Sequence, residues 1–454
     1  MGVNQNSAAP GPRLRFEAHW RLISWALLDK SLPLVYGVAF LLVVVRALPQ
    51  EEFGLLTLAS AVQLTASQLL KALLLVPMIK YEAEGRSPAR VAATGALLYV
   101  LAMALAALAL WGGCGVWAGL FGKPAMAAVL APTAAMLLLG SPRDAANASL
   151  EGLRKLRAVF LLDLVYYAAT ILALVAWSRA EAPRRAATVQ WVQAAASGLG
   201  TVVSVLSARA LLAARPSRAE AARIGRFGAY SFGSGLGATL VQQGDTLLAG
   251  ALMDARGVAA YGAAKLLFRA FNIVAQAISQ VMMPLVSRLH AAGRHTDLRV
   301  LYEKSVCFLH LGIVPLCLLL IGGARPLLDL LYHGRYADSV PAFQVLVAGA
   351  LTLPLASVGS PFLTGMGHVR SLLWMTWAGL VLGLGLAALW IPQHGPVGAA
   401  SAMLVGATFG MLVRTWALHR LLGFGLAGIA ARTRDAWDFA RRRLLDLHRR
   451  RNAG

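Results

Sequence analysis

The stretch FGLLTLASAVQLTASQLLKALLLVP, residues 53–77, is mostly apolar and ends in a polar break at Gly85-Arg86. Gly112-Gly113 and Phe121-Gly122 follow. About 208 residues later the same order returns: Tyr261-Gly262, Pro284, Gly293-Arg294, Gly322-Gly323 and His333-Gly334. Gly-Ser-Pro also occurs twice, at 140–142 and 359–361. In a chain with 44 glycines a single pair recurs by chance, so the shared order carries the argument. An apolar run of about 20 residues crosses the roughly 30 Å of bilayer hydrocarbon. A duplicated bundle of such runs is the usual build of a secondary transporter.

Composition agrees. The chain is 58% hydrophobic and 14% charged, with a mean hydropathy of +0.65. A soluble domain carries about 25% charged residues, so this chain has too little polar surface to be one. The net charge of +22 does not point to nucleic acid, because Lys and Arg sit between apolar runs and no nucleic-acid motif occurs. It reads as the positive-inside rule together with contact to anionic membrane lipids. Cys114, Cys307 and Cys317 lie in apolar runs without C-x-x-C spacing and read as core residues. The first apolar run is not a cleaved signal peptide: its polar leader is long, and no A-x-A site follows Val45.

The expected fold class is an all-α integral membrane protein of about 12 transmembrane helices. They fall in two six-helix lobes related by a parallel internal repeat. The spans are expected near 25–48, 53–79, 89–111, 124–147, 157–178, 187–213, 224–252, 257–286, 304–323, 338–364, 369–391 and 396–421. An N-lobe of 1–215, opening on disordered residues, is followed by a C-lobe of 223–421. A basic tail, 430–454, carries Trp437, Ala440, Leu444 and Leu447 at helical spacing, as an interfacial helix or a disordered arm would. Cations crowd one set of loops: Lys80, Arg86 and Arg90; Arg143, Arg154, Lys155 and Arg157; Arg215, Arg218 and Arg223; Arg288, Arg294 and Arg299. The other set is poorer, with Arg179, Arg184 and Arg185 as the exception. The bias puts both termini in the cytoplasm. Six helices per copy make the copies parallel.

A charge within a bilayer is costly and faces a cavity or a partner. Lys265, Arg269, Asn272, Gln276 and Ser279 lie on one face of helix eight. Ser231, Ser234, Ala238, Gln242 and Asp245 do so on helix seven, and Thr57, Ser60, Leu64, Ser67 and Lys71 on helix two. Helix one carries Asp29, Lys30 and Tyr36, whereas helices three, six and nine show no comparable stripe. Helices one, two, seven and eight hold matching places in the repeat, so the stripes imply a central hydrated cavity. Its lining is cationic, with Lys71, Lys265 and Arg269 against Asp245, and Arg414 of helix twelve as a further candidate. Such a cavity suits a phosphate or diphosphate, which Arg holds with paired hydrogen bonds. The bland alternatives are concrete. Lys30 snorkels to the interface, Lys71 and Arg414 lie within reach of it, and Asp245 neutralises Lys265 or Arg269. Asp163 is expected to be structural. Gly233 and Gly237 form a small-xxx-small pair for close packing. No metal-binding or P-loop motif and no nucleophile elbow occurs, so neither a cofactor nor a metal is expected, and no enzyme.

Several segments resemble the Wzx-type polysaccharide flippases. They are Leu48-Pro-Gln-Glu-Glu-Phe-Gly54, Asp245-Thr-Leu-Leu-Ala-Gly250, Gly257-Val-Ala-Ala-Tyr-Gly-Ala-Ala264 and Met283-Pro-Leu-Val-Ser-Arg288. The resemblance covers nearly the whole chain and places it in the multidrug/oligosaccharidyl-lipid/polysaccharide (MOP) superfamily, with the MATE exporters and lipid II flippases. It implies alternating access in a bacterial inner membrane, with an undecaprenyl-diphosphate-linked oligosaccharide as cargo for O-antigen, capsule or exopolysaccharide. Polysaccharide polymerase and export proteins are the implied partners. Carried onto this chain, Lys71, Lys265 and Arg269 would hold the diphosphate, and Tyr36, Gln242, Asn272 and Gln276 would meet sugars. A MATE cation exporter would want a carboxylate-rich site. A lipid II flippase would usually have helices beyond the twelfth. A glycan polymerase or ligase would want a long outer loop, and a scaffold would want no cavity.

Overall fold

The computed structural model describes residues 16–85, 87–425 and 427–433. The basic tail's amphipathic stretch and the first residues lie outside them. Among the described residues there is no strand. Helix α1, Phe16–Phe40, runs into a π-turn at Leu41–Val45. Helix α2, Gln50–Ala83, contains a second π-turn at Lys71–Leu75. Then come α3 Pro88–Gly112, α4 Met126–Gly152 and α5 Leu156–Arg179. Next are α6 Ala186–Leu212, α7 Arg218–Leu252, α8 Ala255–Ala291 and α9 His295–Gly322. Helix α10 is a bent pair, Ser339–Ala350 and Leu353–Gly365, meeting at 45°. The rod Val369–Leu422 breaks at Gly395, whose φ of +54° suits glycine, leaving α11 (369–394) and α12 (396–422).

These twelve rods stand where the sequence places twelve spans. Short helices, Cys114–Leu120 and Ala324–Tyr332, follow α3 and α9, so the repeat is visible as structure. By length and composition eight helices are long and apolar enough to cross a membrane, or nine with the bent pair as one span. Helix α7 falls short because Ser231, Ser234, Gln242, Gln243, Asp245 and its glycines make its apolar part too polar. In α1 the apolar described part is only Ser31–Val45. Below, the end of the bundle where α1 begins and α12 finishes is the terminal end, and the opposite one the distal end.

Most packing lies within a half: α4 on α6, α3 on α4 and α1 on α5 in the first, and α8 on α10 and α7 on the α11–α12 rod in the second. Helix α2 carries the seam, packing on both α7 and α8. Glycines let backbones meet there. A methyl group on Gly54 would overlap the Ala255 carbonyl oxygen, and one on Gly228 would overlap that of Leu73. The π-turn displaces carbonyls from the helix ladder, and Ser231 Oγ donates to the one at Ala72 (2.5 Å). Of the expected pair Gly233 and Gly237, only Gly237 makes a close approach, against the Trp377 ring; Gly233 faces open space. Gly54→Ala should therefore lower stability by about 1–3 kcal/mol, whereas Gly37→Ala, with nothing within 4 Å, should not. The thermal aggregation midpoint in detergent reads both.

Two sequence expectations are corrected. Arg143 is not a loop charge: it lies inside α4, three-quarters buried or more, paired with Asp163. Helix α6 does carry a polar stripe, Gln190, Gln193, Ser197 and Ser204, all buried. Small neighbours such as Ala194, Ala196 and Gly200 disguise it, because they let α6 press flat against α4.

Candidate substrate site between the halves

The α8 stripe is exposed at Arg269, Asn272 and Gln276, and the α7 stripe at Ser234, Ala238 and Gln242. Polar groups held open inside a bilayer require water or a polar ligand, so these faces line a slot rather than meet lipid. Across the slot stand Tyr36 of α1 and Tyr167 of α5, whose hydroxyls lie within electrostatic reach of the Arg269 guanidinium. Tyr36 is fixed by Gln193 of α6, whose Nε2 donates to its hydroxyl (2.6 Å). The two tyrosine rings stack at 5.5 Å. Among the described residues Arg269 has no ion-pair partner.

The other expected cations are placed differently. Lys265 Nζ donates to Asp245 Oδ1 (2.6 Å), Thr246 Oγ1 (2.8 Å) and the Gln242 carbonyl (2.6 Å). Asp245 is wholly buried and also accepts from the Tyr261 hydroxyl. The α7 stripe thus dives into the second half at its distal end, so Asp245 braces Lys265 from behind and does not line the slot. Lys265 itself keeps 22% of its side chain exposed. Lys71, at the start of the α2 π-turn, pairs with Asp144 of α4 (2.9 Å), which also accepts from the Tyr99 hydroxyl (3.1 Å). Arg414 donates to the Gly410 carbonyl (2.9 Å) and to Ser360 Oγ (3.1 Å), between α12 and α10. It is not brought to the stripes. Asp163 accepts from Arg143 and from Asn147 Nδ2 (2.7 Å), and the Arg143 guanidinium lies 3.7 Å over the Tyr166 ring. That cluster ties α4 to α5, as a structural role requires. The sequence reading missed Tyr167, Gln193 and Asp144. Tyr167 had a signal, since it shares a helix face with Asp163 four residues earlier.

At the distal end the halves are joined. Arg46, just past the α1 π-turn, donates to the carbonyls of Leu331 (2.8 Å) and Leu330 (3.1 Å), at the C-terminus of the short helix after α9. A cation there meets the negative end of the helix dipole. Arg335 Nη1 returns a bond to the Arg46 carbonyl (2.9 Å), and the Gln50 amide donates to the Arg335 carbonyl. Arg256 pairs with Glu51 (2.9 Å). Lys123 Nζ crosses from the first half to the Gly250 (2.5 Å) and Met253 (2.7 Å) carbonyls. Burial lowers the Lys123 pKa from the ordinary lysine value, and Asp254 opposes that shift. Lys123→Met should loosen this closure, at a cost of about 1–3 kcal/mol, read as faster labelling of a cysteine placed at Met253. At the terminal end Arg223 of α7 pairs with Glu84 (2.5 Å), so α7 stays with α2. Beyond Arg269, α8 turns to its own half, with Ser279 Oγ donating to the Ser357 carbonyl (3.0 Å). These contacts shut the slot distally.

A family model described as "Polysaccharide biosynthesis protein" matches residues 43–341. An uncharacterized membrane protein of Methanocaldococcus jannaschii is 28% identical over 172 residues, 38% of this chain and 33% of that protein. The chain thus spans about a third of the curated relative it matches. Among solved structures, the lipid II flippase MurJ in an inward closed conformation superposes with a TM-score of 0.72, at 10% identity, over 90% of this chain and 89% of that one. An inward-facing multidrug resistance MATE family transporter of the MOP superfamily gives 0.65, at 14% identity, over 91% and 99%. At these identities the two structures establish the fold.

Proposed function

Since this chain belongs to the polysaccharide biosynthesis protein family, within the MOP-superfamily transporters and flippases, we propose that it carries an undecaprenyl-diphosphate-linked oligosaccharide across the bacterial inner membrane. The cargo feeds O-antigen, capsule or exopolysaccharide assembly. The observation that carries the reading is Arg269: exposed, and without a carboxylate partner among the described residues, in a slot between the halves. An unpaired guanidinium in a water-filled slot is a site for a phosphate-type anion, because its fork matches two phosphate oxygens.

In this reading the terminal end, rich in Lys and Arg, faces the cytoplasm, and the distal end faces outward. Lobes of 1–215 and 223–421 rock about the α2 seam. The diphosphate enters from the cytoplasm and meets Arg269, then Lys265 once its amine swings from Asp245. Tyr36, Gln242, Asn272 and Gln276 offer hydroxyl and amide groups to sugars, while the prenyl tail stays in lipid. Lys71 and Arg414 take no direct part, since each is engaged within its own half. An inside-negative potential assists, by about 2.3 kcal/mol per charge per 100 mV for an anion moving outward.

The test is complementation of a strain lacking its own polysaccharide flippase, with lipid-linked repeat units assayed on each leaflet. Restored surface glycan and units on the outer leaflet support the reading. Units confined to the inner leaflet, in the native glycan background as well, overturn it.

A further inference from the structure

Beyond the slot, a second cluster of cations lies at the distal end. A shallow cavity of about 490 Å³, open to the surface, is lined by Ala47, Pro49, Gln50, Arg184 and Arg335. Arg184 belongs to the loop whose positive charge broke the topological bias in the sequence. The structure gives that charge a place. Its Nη atoms donate to the carbonyls of Trp177 (3.1 Å), Ser178 (2.8 Å) and Ala180 (3.3 Å), which fix the guanidinium at the end of α5 on the rim of the cavity and leave Nε and one Nη1 N–H uncommitted. Arg335 arrives from the other half and spends one nitrogen on the Arg46 carbonyl (2.9 Å). Neither arginine is neutralised by a carboxylate among the described residues. Two nearby acids are engaged elsewhere: Glu51 with Arg256 (2.9 Å), and Glu52 with the Ala186 amide at the start of α6 (2.7 Å).

Gln50 and Arg335 are also two of the residues that knot the halves together. The knot is built of arginine and amide donors on neutral backbone carbonyls. Hydrogen bonds from a guanidinium to an anion are about twice as strong as those to a neutral acceptor. An anion in this cavity therefore competes with the Arg46 carbonyl for Arg335.

We infer that the cavity is a binding site for a phosphate-type anion, and that its occupation releases Arg335 from Arg46 and unfastens the distal closure. The site takes a phosphate or diphosphate group, free or borne on a lipid. Its use as an exit site for cargo rests on the flippase reading; its anion binding does not.

The test uses the full chain in lipid nanodiscs, where both ends are open to solvent. Two probes are titrated, inorganic pyrophosphate and a short prenyl diphosphate–sugar diester. Hydrogen exchange is followed at residues 44–52 and 330–337. Anion binding should speed exchange in both segments about fivefold, the worth of one hydrogen bond. The response should persist in Arg269→Ala, vanish in Arg335→Gln and weaken in Arg335→Lys, which keeps the charge and loses the fork. A response to pyrophosphate identifies a free-anion site, and a response to the diester alone a lipid-linked one. No change in the wild type overturns the inference, as does a change that survives in Arg335→Gln. Failure of the flippase reading shows separately, as complementation that fails while this response remains. Should Arg335→Gln aggregate, Arg184→Gln serves in its place, because Arg184 takes no part in the knot.

Discussion

Arg269→Ala is expected to lower translocation of lipid-linked glycan about a hundredfold or more, while the protein remains in the membrane at wild-type level. The size follows from the site. A guanidinium on a diphosphate makes two charge-assisted bonds, each worth about 1.5–3 kcal/mol, and about 1.4 kcal/mol is tenfold. Among the described residues Arg269 has no ion-pair partner, so its removal leaves no buried charge behind there and the fold should not suffer. Arg269→Lys should recover part of the activity, since an ammonium restores charge but not the planar fork. Leaflet-resolved assay of lipid-linked units, beside an immunoblot of the membrane fraction, reads both quantities. Full export by Arg269→Ala would remove Arg269 from the site and with it the observation on which the proposed cargo rests.

The second large effect is on stability. Asp245→Ala should cost about 3–5 kcal/mol, the usual consequence of taking one partner from a buried ion pair. Asp245 is wholly buried, and its loss strands the Lys265 ammonium among the Thr246 hydroxyl and one carbonyl, with the Tyr261 hydroxyl unpaired as well. The double change Asp245→Leu with Lys265→Met should recover most of the loss, because no charge is left unpaired and only the Tyr261 hydroxyl remains without its acceptor. Thermal unfolding in detergent of the two singles and the double gives the coupling between the residues. If Asp245→Ala melts like wild type yet fails to transport, Asp245 works on cargo directly and is not a brace.

Which features were legible in the sequence follows from the range of the physics. Membrane embedding is a sum over about twenty consecutive residues, and twelve rods appear in the expected order, although α1 and α9 each begin nine residues before their expected starts. The duplication needs only the order of landmarks, and the structure returns it as Cys114–Leu120 and Ala324–Tyr332 at matching places. Polar stripes on α7 and α8 follow from the 3.6-residue period, and Arg269, Asn272, Gln276 and Gln242 are exposed along them.

Periodicity chooses a face of a helix but not what that face meets. Lys71 and Arg269 look alike as single cations in apolar runs, yet Lys71 meets Asp144 from α4 and Arg269 meets no carboxylate among the described residues. Asp245 shares the α7 stripe with Gln242, three positions away, and is buried while Gln242 is open. Gln193, Tyr167 and Arg335 gain their roles from residues 157, 131 and 289 positions distant or thereabouts, namely Tyr36 and Arg46. The sequence by itself determined the bilayer, the helices and the repeat, because each is a local or additive property. Only the tertiary structure decided which cations are neutralised, where the halves close and which arginine is left for an anion, because each depends on the meeting of helices far apart in the chain.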